Sequence, residues 1–232
     1  MNRQIERLRP QQIRAALAET SLIYLPLGTI EWHSEHLPVG LDALTAHGMC
    51  LRAAALTGGL VWPPLYYGTG GGHGAFPWTV MMPDDTEIAA LLRHTLRRLA
   101  DMKVARVVLF SGHFAEEQLA MIDAIAADWN AAGQPPHLLA TAVNRALITD
   151  FPPDHAGLFE TTLLAGLAPD LVELGQLPPI TAQDAAIDRF DPASPIWGVV
   201  GADPRLAPPI TPTKLVARLT RWLADGVAGG SR

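Results

Sequence analysis

The sequence predicts an α/β fold with a mostly parallel sheet and helices on both of its faces. Short apolar runs typical of buried strands alternate with longer segments of helical periodicity, and this β-α-β order is the pattern of a parallel sheet. The clearest strand, at residues 105–110, and the first strand, at residues 21–26, are both followed by polar residues. Because parallel strands end at the same edge of a sheet, we expect those polar residues to meet there.

Strand and helix signals follow one another along the chain. Strands are predicted at residues 21–26, 60–67, 105–110 and 137–142. Helices are predicted at residues 10–19, 42–56, 114–129, about 160–168 and 211–228. A further helix is predicted to be capped by residues 84–87 and to continue, with an apolar stripe, to Leu99. Pro10 is suited to the first position of a helix, Asp42 to an N-cap and Gly58 to the end of a helix. The prolines in 60–67 favour a strand at the edge of the sheet. Residues 175–210 are expected to form an ordered, irregular excursion.

The stretch after the first strand has the composition of a metal site. It holds Glu31, His33, Glu35, His36 and Asp42 within twelve residues. Carboxylate oxygen and imidazole nitrogen together suit zinc, manganese or iron, whereas calcium and magnesium sites seldom use imidazole. The alternative is that the glutamates are solvated loop charges and the histidines half-buried polar residues.

Two further segments add candidate site residues. The glycine-rich loop at 68–79 permits close backbone approach to a ligand, and its His73, Phe76 and Trp78 could line a pocket or merely anchor a connector. Later in the chain, His155 and Glu160 lie on either side of a predicted helix start.

Bulk composition narrows the class of protein. The 232 residues, 49% hydrophobic and 17% charged, fit one soluble, globular domain spanning 1–232, and no apolar run approaches the ~18 residues that would cross a membrane. A start without an apolar signal core and a lone Cys50 lead us to expect a cytoplasmic protein. The net charge of −6, with scattered Lys and Arg, predicts a small-molecule substrate and no nucleic-acid or membrane partner.

These motifs together resemble the creatininase (creatinine amidohydrolase) family over roughly residues 20–175. The block at 26–38, with Asp42 downstream, is similar to the family's Gly-Ser-x-Glu-Gln-His-Gly-x-His-Leu-Pro block. Ser111-Gly-His113 resembles the family's Asn-Gly-His, and residues 155–162 resemble its His-Ala-Gly-x-x-Glu-Thr-Ser. Four blocks in register, counting 168–172, are improbable by chance.

The resemblance implies a three-layer α/β/α sandwich, a homo-oligomer that is often a hexamer, and a hydrolase with two divalent ions (zinc, manganese or iron). Its implied metal ligands are Glu31, His33, Asp42, His113 and Glu160, with Asp42 bridging the two ions. The ions would share a hydroxide that attacks the substrate. His155 would act on the oxyanion or the leaving nitrogen, with Asp154 beside it.

Departures from the family pattern concern the substrate more than the hydrolysis. Ala115 stands where creatininases proper have a glutamate ligand, so Glu160 is expected to replace it, with Glu116 as the alternative. The segment 144–154 lacks the substrate-covering tryptophans, a role that Phe151, Trp78 or Trp197 could assume. The expected substrate contacts are His36, His73, Trp78 and Phe151.

The predicted function is therefore cleavage of a C–N bond, first of all in a creatinine-like cyclic amide, in a small polar molecule. A second reading keeps fold and metals but changes the bond, as in the deformylase, peptidase and carbon–carbon hydrolase branches of the family. A third is a metal-dependent binding protein without catalysis, suggested by Ala115.

Overall fold

The computed structural model describes residues 2–146, 151–179 and 189–229. Its helices are α1 (Pro10–Glu19), α2 (Leu41–Thr57), α3 (Thr86–Asp101), α4 (Glu116–Ala131), α5 (Leu158–Leu167) and α6 (Pro212–Gly229). Its strands are β1 (Leu22–Leu27), β2 (Leu60–Val61), β3 (Gly68–Thr69), β4 (Met81–Met82), β5 (Arg106–Ser111) and β6 (His137–Ala142).

A four-stranded parallel sheet organises the molecule, in the order β2-β1-β5-β6. Strands β1 and β5 pair along their whole length, from Leu22 opposite Arg106 to Leu27 opposite Ser111. The polar segments that follow these two strands therefore leave the sheet side by side. Strands β3 and β4 form a separate parallel pair beside the same edge.

Helices cover both faces of the sheet. Side chains alternate between the two faces along each strand, and because the strands are apolar on both faces, each face needs a layer of helices to bury it. On one face, Leu22 and Tyr24 pack with α2, α5 and α6. On the other face, Ile23 and Leu25 pack with α1, α3 and α4. The predicted three-layer α/β arrangement is confirmed. None of the helices in the described ranges is both long and apolar enough to cross a membrane.

Most predicted elements lie within two residues of their observed bounds; β2 is shorter than predicted, and the cap of α2 is a different residue. Strand β2 ends at Val61 because two prolines follow it, although its edge position is as predicted. Helix α2 is capped by Gly40, so Asp42 lies inside its first turn and is not the cap. Of the expected excursion at 175–210, residues 180–188 lie outside the described ranges, as do residues 147–150 of the segment 144–154.

Two glycines let the strand ends approach the start of α2. A Cβ atom on Gly28 would lie 2.2 Å from the Ala43 nitrogen, and one on Gly112 would lie 2.1 Å from the Asp42 carbonyl oxygen. Any larger residue would have to displace backbone, so glycine is required at both places. The first turn of α2 is thereby held directly against the carboxyl ends of β1 and β5.

Candidate metal centre

The five predicted ligands converge at the carboxyl edge of the sheet. They come from the loop after β1, the first turn of α2, the loop after β5 and the first turn of α5, and they are Glu31, His33, Asp42, His113 and Glu160. All five are at most 5% exposed. Glu31, His33 and Asp42 offer ligand atoms that all lie within 4.8 Å of one another, and so do His33, His155 and Glu160.

Short contacts join the imidazoles to the carboxylates. The Nε2 atom of His33 lies 3.2 Å from Asp42 Oδ1 and 3.6 Å from Glu160 Oε2. The Nδ1 atom of His113 lies 3.0 Å from Glu31 Oε2 and 3.2 Å from Asp42 Oδ2. Asp42 is thus the carboxylate that faces both histidines, one through each oxygen.

A backbone contact orients the His33 ring. Its Nδ1 lies 2.9 Å from the carbonyl oxygen of Glu31. Because a carbonyl only accepts hydrogen bonds, Nδ1 is the donor, and in the neutral ring Nε2 presents its lone pair to Asp42 and Glu160. Histidine ligands to metals are commonly fixed in this way, by a second nitrogen bound to a backbone carbonyl.

The electrostatics of the cluster favour positive charge at its centre. Burial lowers the pKa of His33, but the carboxylates of Asp42, Glu160 and Glu31 together outweigh it and raise that pKa to about 10. Burial likewise opposes the charge on His113, yet Asp42 and Glu31 hold the pKa of His113 well above its ordinary value. Burial would raise the pKa of Glu31, but His113 and His73 hold it below the usual range. The pKa of Glu160 is well above normal, through burial and the nearby carboxylates.

Several buried atoms in the cluster lack a hydrogen-bond partner among the described residues. They are Glu31 Oε2, His33 Nε2, Asp42 Oδ2 and His113 Nε2. Buried nitrogen and oxygen atoms are costly without partners, and a cation with oxygen and nitrogen ligands satisfies both kinds. The donor set therefore fits divalent ions of the zinc, manganese or iron class.

The predicted catalytic residues lie at the rim of the cluster. The Nε2 atom of His155 donates to the Trp32 carbonyl at 3.0 Å, and its Nδ1 lies 3.8 Å from Glu31 Oε1. Burial holds the pKa of His155 well below its ordinary value. Asp154 accepts hydrogen bonds from the backbone nitrogens of Phe159 and Glu160, and burial raises its pKa to about 6. Asp154 thus caps α5, and its catalytic role stays a prediction.

A cavity of about 210 Å³ opens onto these groups. It is lined by Glu31, Asp42, Gly71, His73, His113, Phe114, Ala115, Asp154, His155 and Glu160. Ala115 faces this cavity, whereas the alternative ligand Glu116 is exposed on the first turn of α4. The geometry therefore favours Glu160 over Glu116.

The four predicted substrate contacts are divided by the structure. Only His73 lines the cavity, where its Nδ1 lies 2.5 Å from Glu31 Oε1. His36 is buried and bonded to Thr161, and Phe151 packs edge-on against Phe159 in the core. Trp78 is 77% exposed. For these last three, contact with substrate stays a prediction without support from the cavity.

A row of aromatic rings packs against His73, next to the residues that line the cavity. Trp197 lies 5.3 Å from Trp32 and 5.7 Å from Phe76, and Phe76 stacks on Phe190 at 5.8 Å. Trp197 thus packs behind Phe76 and is not among the described residues that line the cavity, so its role in covering substrate stays a prediction. Phe190 was not predictable from the sequence, since it lies in an irregular segment whose side chains follow no periodic pattern.

Comparisons with known proteins match nearly the whole chain. Residues 6–227 match the family model Creatininase, described as creatinine amidohydrolase. The creatinine amidohydrolase of Pseudomonas putida is 29% identical over 196 residues, which cover 74% of this chain and 75% of that protein. The mycofactocin precursor peptide peptidase of Mycolicibacterium smegmatis is 26% identical over 221 residues, covering 89% and 84%.

Solved structures agree with the fold. A tryptophan-to-phenylalanine variant of creatininase superposes with a TM-score of 0.78 at 26% identity and covers 99% of both chains. A manganese form of creatininase superposes with a TM-score of 0.77 at 24% identity, covering 99% of both chains.

Proposed function

This chain belongs to the creatininase family, and we propose that it is a metal-dependent amidohydrolase that cleaves a C–N bond of a small polar molecule, with cyclic amides as the first substrate class. The observation that carries the proposal is the convergence of Glu31, His33, Asp42, His113 and Glu160 in one buried cluster, of which all but His33 line the cavity. The unpartnered buried atoms of Glu31, His33, Asp42 and His113 match the ligand preferences of two divalent ions.

We assign the ligands by which carboxylate oxygen each histidine faces. Glu31 and His113 would hold one ion, His33 and Glu160 the other, and Asp42 would serve both through its two oxygens. When bound, such ions supply positive charge that polarises a carbonyl and lowers the pKa of water.

His155 is suited to move a proton at the leaving nitrogen. Its Nε2–H is engaged by the Trp32 carbonyl, so in the neutral ring Nδ1 carries the lone pair. Burial favours that neutral form. The backbone contact also fixes the ring plane beside the ligand candidates, so Nδ1 can accept the proton that the attacking water loses and deliver it to the nitrogen that departs as the C–N bond breaks.

The size of the cavity favours a small substrate. A volume of about 210 Å³ is below the range of typical drug-sized ligand pockets. The second candidate is the peptidase branch, because the mycofactocin peptide peptidase aligns with 89% of this chain. A further alternative, a binding protein without turnover, rests on Ala115 in the cavity wall.

We further propose that residues 1–232 act as one catalytic domain, cytoplasmic and assembled as a homo-oligomer. Light scattering of the purified protein tests the assembly.

The test combines metal content with a substrate panel. Gently purified protein should carry two metal ions per chain, Glu160→Gln about one, and the matched control Glu116→Gln two. The two-metal protein should hydrolyse members of a panel of creatinine and hydantoin-type cyclic amides, and His155→Gln should lose most of the turnover. One ion or none in wild type, after reconstitution, would refute the two-metal assignment. Cleavage of peptides in preference to cyclic amides would establish the second candidate.

A further inference from the structure

The glycine-rich loop at 68–79 contributes Gly71 and His73 to the cavity lining and is held by hydrogen bonds at both ends. Near its start, the Thr69 nitrogen donates to Gln118 Oε1 at 3.1 Å, which ties the loop to α4 behind His113. At its end, Thr79 Oγ1 accepts a hydrogen bond from the Trp32 nitrogen at 2.9 Å, beside Glu31. The loop is therefore held by the same segments that carry the ligand candidates.

Left-handed backbone conformations, which glycine adopts easily, bring the middle of this loop to the cavity. Gly70, Gly71 and Gly72 have φ angles of 83°, 87° and 70°, a left-handed run that other residues rarely adopt. The Gly71 nitrogen lies 3.3 Å from Glu117 Oε2, and a Cβ on Gly70 would collide with the same side chain. The following residue, His73, is thereby delivered to the site.

His73 meets one oxygen of a fully buried carboxylate. Its Nδ1 lies 2.5 Å from Glu31 Oε1, and since a carboxylate accepts, Nδ1 is the donor. The other oxygen, Oε2, lies 3.0 Å from His113 Nδ1. The two oxygens of Glu31 are thus divided between the loop on one side and the ligand candidates on the other.

We propose that His73 is a positioning residue for the metal centre: it holds Oε1 of Glu31 so that Oε2 faces the cation, and the glycine-rich loop acts as its clamp. This inference rests on the proposed function in one respect, namely that Glu31 is a metal ligand. Partners of this kind fix the rotamer of a ligand, and their loss commonly costs ~10–100-fold in metal affinity.

A role in substrate contact alone would have different consequences. His73 lines the cavity and its ring lies 4.2 Å from that of His155. If His73 only touched substrate, its replacement would raise KM and leave metal affinity unchanged. Metal affinity, measured without substrate, therefore separates the two roles.

The experiment measures Mn²⁺ and Zn²⁺ binding to the metal-stripped full chain by competition with a chromophoric chelator. His73→Leu removes the donor, and we expect affinity for at least one site to fall ~10–100-fold. His73→Asn places an amide donor near the position of Nδ1, and we expect it to recover most of the affinity. The matched control is His94→Leu, an exposed histidine on α3, which should bind as wild type does.

The outcomes separate this inference from the proposed function. Unchanged metal affinity in His73→Leu overturns the positioning role and leaves the two-metal hydrolase intact. An equal loss in the Leu and Asn variants also overturns it, because the donor would then be irrelevant. A wild-type protein that binds no metal overturns both proposals. Should the Leu variant fail to fold, His73→Ala supplies the donor-free measurement.

Discussion

One buried imidazole behind the metal centre makes the folded protein sensitive to acid. His36 is 1% exposed, bonded through Nε2 to Thr161, and burial, with His33 adding, lowers its pKa to about 4. The unfolded chain regains an ordinary histidine pKa near 6.5. Between these values the unfolded state binds more protons, so stability is full above about pH 6.5 and is lost as the pH falls towards 4.

We therefore expect His36→Gln to flatten the dependence of unfolding free energy on pH between about 6.5 and 4. The decrease in the slope of unfolding free energy against pH should approach ~1.4 kcal/mol per pH unit, which is the contribution of one titrating proton. Urea unfolding at several pH values measures the slope, with His94→Gln as the exposed control. Equal slopes in wild type and both variants would contradict the assignment to His36.

Candidate site residues could be placed together from the sequence where each follows a strand or opens a helix. Glu31 and His113 were predictable in this way because β1 and β5 are parallel neighbours. The partner of His73 was not, because its contact with Glu31 depends on the path of a glycine-rich loop. Nor could the sequence show that Phe151 packs in the core against Phe159. An aromatic side chain suits a core and a substrate pocket equally, so its type does not tell the two apart.

At the scale of elements, the junction between the sheet and α2 tolerates no side chain. We expect Gly112→Ala to destabilise the fold by at least the ~1–3 kcal/mol typical of overpacking, because its Cβ would lie 2.1 Å from the Asp42 carbonyl oxygen. The same displacement would move Asp42, so metal content should fall as well. Chemical denaturation and elemental analysis measure the two effects.

A glycine-to-alanine substitution in α6 should instead raise the stability of the protein. Gly226 lies within α6, and a Cβ there meets nothing within 4 Å. Gly226→Ala should stabilise the protein by up to ~1 kcal/mol through helix propensity and leave metal content unchanged. If both alanine variants were equally stable, the close approach at Gly112 would not be what fixes α2.

Elements were predictable where local signals are strong and not where tertiary contacts set the bounds. The apolar run of β5 and the periodic stripe of α3 are both in place. The start of α2 lies one residue before the predicted start, and its cap is Gly40 and not Asp42. The short pair β3–β4 had no signal, since two-residue strands carry no periodicity.

For the whole molecule, the buried carboxylates predict that metal ions stabilise the native fold. An ion that binds only the native state at 100 times its Kd adds about 2.7 kcal/mol. For a chain of 232 residues this is a shift in Tm of about 5–10 °C. Thermal unfolding with and without EDTA measures the shift.

The control for this shift is a variant that lacks the shared carboxylate. Asp42→Asn should unfold at the same temperature with and without EDTA, since Asp42 faces both histidines of the cluster. A large EDTA effect that persisted in Asp42→Asn would locate the stabilising ion elsewhere in the chain.

The fold class was predictable at this scale because alternating strands and helices allow few arrangements. The order of the strands was not, since nothing in the local pattern of β2 sets it on the far side of β1 from β5.

The ligand candidates lie between positions 31 and 160, and the last of them, Glu160, is carried by α5, which packs against α2. A nascent chain that ends before Glu160 cannot assemble the full set, however much sheet it has formed. Contacts of such long sequence separation also form late, since their loops must close first. In the cell, only complete and correctly packed chains would therefore bind the ions, and metal binding would mark the end of folding.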